Sequence, residues 1–110
     1  MSSLNTYFLE KSSTLIQKLI TGQGTAKQRL LDCEIEFCLT FSIPIPADLE
    51  PIRKKIIQEL NQKNEIRIGE NIHSTSYRNT LYSMRNARAS KIIGEIYNLY
   101  KEIEFRERFK

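Results

Sequence analysis

Few side chains in the sequence have catalytic or metal-ligating chemistry. The one histidine, His73, has no second histidine or cysteine at ligand spacing, and a catalytic histidine needs an oriented partner. On a continuous helix Asp32 and Glu36 share one face at i,i+4, where a carboxylate pair can bind a divalent cation or do acid–base work. Without further ligands, we expect them and Glu34 to form a solvated face or to pair with arginine. We therefore predict no catalytic residue, no metal site, no cofactor and no enzymatic activity.

A glycine pair resembles a nucleotide-binding turn only in outline. The segment Gly22-Gln23-Gly24 is followed by Lys27 at the third glycine position of a dinucleotide fingerprint, and no strand precedes it. The amides that begin the next helix, with Thr25 and Lys27 beside them, form a generic place for a phosphate. A helix stop followed by a cap, with Thr25 and Gln28 at capping-box spacing, explains the same residues.

The two cysteines, Cys33 and Cys38, lie five positions apart in one predicted helix and point about 140° away from each other. They cannot pair within that helix, and no second cysteine pair supports a zinc finger. We expect both to be small core residues of a reduced, cytoplasmic protein. No stretch of about 18 apolar residues predicts a membrane partner.

Basic residues are unevenly distributed along the chain. Lysine and arginine total 17 against 13 acidic residues, a formal charge of +4. Residues 71–94 contain no acid but carry Arg78, Arg85, Arg88 and Lys91. On one continuous helix the three arginines lie on the apolar side, where a charge is costly unless paired. Two interpretations stay open: internal pairing with the acidic residues of the second helix, or contact with a phosphate backbone or an acidic partner surface.

The opposite side of the same predicted helix carries small residues. Ser83, Ala87, Ser90 and Gly94 would allow close approach of another backbone, which favours self-association, although a polar surface of short side chains is the simpler explanation. In the nucleic-acid interpretation Tyr77 or Tyr82 would stack on an unpaired base.

Apolar periodicity predicts helices at about 4–20, 26–41, 49–63 and 74–107. Pro44 and Pro46 form a stiff connector before the third helix, for which Asp48 is the expected N-cap. Residues 64–73 are either extended or a loop. With 110 residues and 12.9 kDa, the chain is predicted to form a single all-α, four-helix bundle-like domain with a long C-terminal helix.

These features favour a non-enzymatic, small helical protein–protein interaction module. It would act as a homo-oligomer or as an accessory subunit of a larger bacterial complex, with a second copy or another protein as its partner and no small-molecule substrate. The alternative is backbone-directed nucleic-acid binding through residues 71–94, because no helix-turn-helix spacing or other base-reading module is present.

Overall fold

Helices make up most of the chain, as the apolar periodicity predicts, and a small antiparallel hairpin is added to them. The computed structural model describes residues 4–109. Its elements in chain order are α1 (Leu4–Thr21), α2 (Ala26–Asp32), α3 (Glu34–Thr40), a 3-10 turn (Ala47–Leu49), α4 (Glu50–Glu59), β1 (Ile66–Ile68), β2 (Asn71–Ser74), α5 (Ser76–Tyr82) and α6 (Asn86–Arg108). The domain is single and mostly helical, with six α-helices and a two-stranded sheet among the described residues. The four-helix bundle that we expected is not confirmed.

The longest helix, α6, forms the centre of the packing. It contacts α1, α2 and α4, and its buried stripe recurs at helical spacing as Ile92, Ile96, Leu99 and Ile103. The start of α1 lies beside the end of α6, since Thr6 Oγ1 donates to Glu107 Oε1 at 3.1 Å. The two helices therefore run antiparallel.

The predicted second helix is two helices that meet at Cys33. At Cys33 the φ of −105° and ψ of 15° leave the α-helical path. α2 packs mainly on α6 and α5 and also on α1, whereas α3 packs on α1. The start of α2 is as predicted, with Thr25 as N-cap accepting the Gln28 amide at 3.2 Å.

The third predicted helix, α4, is shorter than the 49–63 that we expected, and the prediction of Asp48 as its N-cap was wrong. Asp48 lies inside the 3-10 turn, and its carboxylate accepts two guanidinium hydrogens from Arg106 at 2.8 and 2.6 Å. Pro51 occupies the first turn of α4, where its missing N–H costs nothing. Asp48 thus joins the start of α4 to the end of α6 instead of capping a helix.

The predicted continuous helix over 74–107 is also interrupted. It divides into β2, α5 and α6, and Arg85 is the extended N-cap of α6 with φ −80° and ψ 150°. At the break the Ser83 hydroxyl lies within hydrogen-bond distance of the carbonyls of Asn79 and Thr80, at 3.3 and 3.2 Å, which competes with helix continuation. The side chains of α6 therefore do not lie at the angular positions expected for a helix that continues from α5.

Residues 64–73, predicted to be either extended or a loop, hold most of a β-hairpin made of β1 and β2. Gly69, with φ +63°, is the first of the two residues that join β1 to β2, the position at which a type II′ turn requires glycine. The register pairs Ile68 with Asn71 and Arg67 with Ile72, and is irregular between Arg67 and Ile66. The three isoleucines of the hairpin are exposed: Ile66, Ile68 and Ile72.

Candidate functional site

The three arginines differ in their contacts, and the break before α6 lies between Arg78 and the other two. Arg78 donates from Nε to Glu34 Oε1 at 2.8 Å, the internal pairing considered for it from the sequence. Arg85 and Arg88 are exposed, and neither forms an ion pair within residues 4–109. Arg85 lies before α6, so its predicted place on a continuous helix was wrong. Arg88 lies in α6 with the buried Ile92 and Leu99, but in the first turn of the helix its side chain is exposed.

Arg85 and Arg88 line a cavity of about 340 Å³ that we call the junction cleft, between the end of α4 and the α5–α6 turn. Its polar and charged lining consists of Gln62, Lys63, Thr80, Ser83, Arg85 and Arg88. The cleft thus combines two cations of the basic stretch with a third, Lys63, from a distant part of the sequence. Lys91, one turn further along α6, is exposed and has no ion pair in the part of the chain described.

Only one of the two candidate stacking tyrosines offers its ring to solvent. Tyr77 is buried, and its hydroxyl donates to the Leu30 carbonyl at 2.5 Å. Burial raises the pKa of Tyr77 well above its usual range, and its ring packs against Phe37. Tyr77 therefore belongs to the core in this structure. The ring of Tyr82 is 63% exposed.

Hydrogen bonds connect the start of α2 to the turn between α5 and α6. Thr25 is engaged as the cap, while Lys27 donates from its amide to Asn86 Oδ1 at 3.3 Å and from Nζ to the Tyr82 carbonyl at 3.2 Å. These bonds tie α2 to the α5–α6 turn. The residues weighed as a phosphate site at this position therefore have structural partners.

The predicted oligomer contacts lie on the surface. Ala87, Ser90 and Gly94 are exposed on the outer side of α6, and Ser83 is exposed in the turn before it. A Cβ built on Gly94 meets no atom within 4 Å. This side of α6 is open, and its role as a contact stays a prediction.

Sequence reasoning missed an exposed apolar surface on α3, which we call the α3 face and define as Ile35, Cys38 and Leu39. Ile35 is 72% exposed and Leu39 is 59% exposed, and the i, i+3, i+4 spacing places all three on one side of the helix. The expectation that both cysteines are core residues was half wrong. Cys33 is buried and Cys38 is exposed, and both are free thiols.

Ion pairs lie on both sides of the α3 face. Glu34 is held by Arg78, and Glu36 is bound by Lys18, whose ammonium lowers the pKa of the Glu36 carboxyl. Asp32 accepts from Gln28 Nε2 at 2.9 Å, on the other side of the break at Cys33. Asp32 and Glu36 therefore belong to two different helices and not to one continuous helix face as the sequence predicted.

No cluster of three or more metal-ligating side chains occurs among the described residues. The backbone of His73 belongs to β2, and its side chain lies outside the described part of the structure. None of the helices within residues 4–109 is long and apolar enough to cross a membrane.

A groove of about 370 Å³ adjoins the α3 face and shares Leu39 with it. The other groove residues are Tyr7, Lys11, Ser42, Ile43 and Pro44. The apolar surface therefore continues from α3 toward the start of α1.

The sequence does contain a signal for the α3 face. Apolar residues between 30 and 41 cover about two thirds of the circumference of the predicted helix, which is wider than one core-facing stripe and typical of a helix with partners on more than one side. Lys63 had no comparable signal, because it reaches the junction cleft only through the packing of α4 on the following elements.

Comparison of the chain with protein-family models, curated proteins and solved structures finds no match. The functional argument therefore depends on the two surfaces described above.

Proposed function

We propose that the protein is a non-enzymatic protein–protein interaction module that binds through the α3 face. The observation that carries this proposal is the exposure of Ile35 and Leu39 on one side of a helix whose other side is in the core. Covering a large aliphatic side chain that is fully exposed contributes about 1.5–3 kcal/mol to association, and somewhat less for one that is partly covered. Exposure of both side chains to water is unfavourable, and a partner that covers them removes this cost.

The surroundings of the α3 face also suit an interface. Protein interfaces commonly have an apolar centre within a polar rim, and here the Glu34–Arg78 and Lys18–Glu36 pairs flank the apolar residues. Each pair is neutral overall, so two copies of this surface meet without a net charge of one sign on either rim.

We infer that the partner is a second copy of the chain, related by a two-fold axis that apposes the two α3 faces. In such an isologous contact the same surface serves both subunits. An accessory subunit that docks the same face on a different protein is the other form of the proposal. A reducing compartment such as the cytoplasm suits the free thiols of Cys33 and Cys38.

Light scattering at micromolar concentration tests self-association. We expect the wild type to have twice the 12.9 kDa chain mass, and the Ile35→Glu/Leu39→Glu variant to be monomeric because the charges cannot be buried without partners. Ile20→Glu is the matched control, since Ile20 is 57% exposed at the end of α1. A monomeric wild type would reject the homo-oligomer and leave only the accessory-subunit form, to be tested with a defined partner.

A second candidate function is backbone-directed nucleic-acid binding by the stretch 71–94. Arg85, Arg88 and Lys91 support it, because they are exposed and have no ion pair within the described residues. The pairing of Arg78 and the burial of Tyr77 leave it fewer contacts than the sequence suggested. Titration of labelled single- and double-stranded oligonucleotides at two salt concentrations tests this candidate, and absence of binding at low salt would reject it.

A further inference from the structure

The junction cleft brings together three cationic side chains that have no acidic partner among the residues that the structure describes. Lys63 follows α4, whereas Arg85 and Arg88 belong to the start of α6. No carboxylate lines the cleft, and none of the three cations forms an ion pair in the range 4–109. Like charges that share a concave site repel one another, and an anion between them removes that repulsion.

The backbone at the cleft adds to the positive potential. The first turn of the 23-residue α6 contains no acidic residue, and no side chain caps its N-terminus at Arg85. Free amide hydrogens at a helix N-terminus carry partial positive charge. The Gln62 side chain adds an amide to the lining of the same cleft.

Hydrogen bonds hold one wall of the cleft in place before any ligand arrives. The Lys63 amide donates to Thr80 Oγ1 at 2.9 Å, and Ser76 Oγ donates to the Lys63 carbonyl at 2.5 Å. Asn79 Nδ2 donates to the Asn64 carbonyl at 2.7 Å. The backbone that carries Lys63 is therefore tied to α5, so binding requires ordering of the exposed cationic side chains but not of this backbone.

We propose that the junction cleft binds the terminal phosphate of a small phosphorylated ligand, with Arg85, Arg88 and Lys63 as the anion-contacting side chains. Arginine matches phosphate oxygens in a two-pronged geometry, and a cavity of about 340 Å³ suits a compact ligand. The cationic surface extends from the cleft only as far as Lys91, because Arg78 is paired with Glu34 and an acid, Glu95, follows one turn later on α6. This proposal is independent of the α3 face.

A second cavity provides a natural control. It has a similar volume, about 390 Å³, and also contains two cations, Lys101 and Arg108. Glu102 and Glu104 share its lining, and Lys101 Nζ lies 2.7 Å from Glu104 Oε1. Its cations therefore have carboxylates beside them, and we expect no anion binding there.

The test is a titration of isotope-labelled protein with inorganic phosphate and with pyrophosphate at low ionic strength, followed by amide NMR. We expect saturable shifts at residues 62–63 and 83–88. Arg85→Ala/Arg88→Ala should weaken binding about tenfold or more, and Lys63→Ala should weaken it as well. Lys101→Ala/Arg108→Ala removes the same charge and should leave binding unchanged. We expect both double variants to keep the wild-type melting temperature, because the residues removed from the cleft are exposed.

Three outcomes would overturn the proposal. One is the absence of saturable shifts at the cleft. Another is equal weakening by the two double variants, which would indicate general attraction to a basic protein. The third is a single-stranded oligonucleotide that binds at the cleft and is not displaced by pyrophosphate, which would assign these cations to an extended nucleic-acid surface.

Discussion

Replacing Tyr77 with phenylalanine tests how α5 packs against the break at Cys33. The Tyr77 hydroxyl donates to the Leu30 carbonyl, which also accepts the Cys33 amide at 3.1 Å. Loss of the hydroxyl therefore leaves that carbonyl with a partner, and phenylalanine buries no unpaired polar atom. We expect a free energy of unfolding about 1 kcal/mol lower than that of the wild type near neutral pH.

The same substitution has an opposite effect at high pH. Burial raises the pKa of Tyr77 in the folded protein, whereas the unfolded chain has the ordinary value of about 10. Stability from the neutral hydroxyl is fully present below about pH 10 and is lost as the pH rises, because only the unfolded chain ionises. At about pH 11 that ionisation removes about 1.4 kcal/mol of stability from the wild type and none through position 77 of the Tyr77→Phe variant.

Urea unfolding at about pH 8 and about pH 11, followed by far-UV circular dichroism, measures both effects. The advantage of the wild type over Tyr77→Phe should shrink by about 1.4 kcal/mol between the two pH values and reach zero or reverse. Tyr82→Phe is the control, because the exposed Tyr82 ring predicts little change at either pH. An advantage that is the same at both pH values would mean that Tyr77 titrates as an exposed residue, and would refute this packing.

Further predictions concern backbone and surface positions. Gly94→Ala should raise the free energy of unfolding by about 0.5–1 kcal/mol, because the added Cβ lies in open space in the middle of α6. If the variant also lost association, the contact would lie on α6 and not on α3. Gly22→Ala should lower that free energy by about 1–3 kcal/mol, since its Cβ would lie 2.5 Å from the Lys18 carbonyl oxygen; thermal melts of the two variants should therefore shift in opposite directions. Arg106 lowers the pKa of the Asp48 carboxyl, so stability from this pair is present above the unfolded pKa of that carboxyl and is lost as the pH falls. A carboxyl NMR titration should show that pKa returning toward its usual value in Arg106→Gln, and an unchanged pKa would contradict the pairing.

The helical part of the fold follows from local pattern, but its two breaks do not. The periodicity predicts α1 and the buried stripe of α6, and Thr25 caps α2 as its spacing indicates. No proline or glycine marks either break, which fall at Cys33 and in the turn Ser83–Arg85. The break at Cys33 lies where α2 and α3 pack on partly different neighbours, a tertiary effect that no local propensity records. The break before α6 lies where the Ser83 hydroxyl bonds to carbonyls of the preceding turn.

The hairpin shows the same limit for strands. Alternation at Ile66–Ile68 and the following Gly69 suggest an extended piece, but β2 has only one large apolar residue, Ile72. The pairing that makes a strand of Asn71–Ser74 comes from the turn geometry at Gly69 and not from a pattern within that segment.

The candidate sites follow from the sequence only in part. The acid-free stretch 71–94 contains Arg85 and Arg88, and both are exposed, Arg85 as the extended residue before α6 and Arg88 in its first turn. Ile35 and Leu39 lie about 160° around α3 from the buried Phe37, so the packing of Phe37 in the core leaves them exposed. Which side of α3 faces the core is decided by tertiary packing and not by the local pattern.

Crosslinking through Cys38 tests the apposition of two α3 faces most directly. Cys38 lies exposed within the α3 face, whereas Cys33 is buried, so a short bismaleimide should join only Cys38 thiols. We predict a covalent dimer for the wild type and for Ile20→Glu, and none for Cys38→Ser or for Ile35→Glu/Leu39→Glu. If Cys38 is fully modified at micromolar protein concentration and no covalent dimer forms, the α3 face does not meet a second copy of itself.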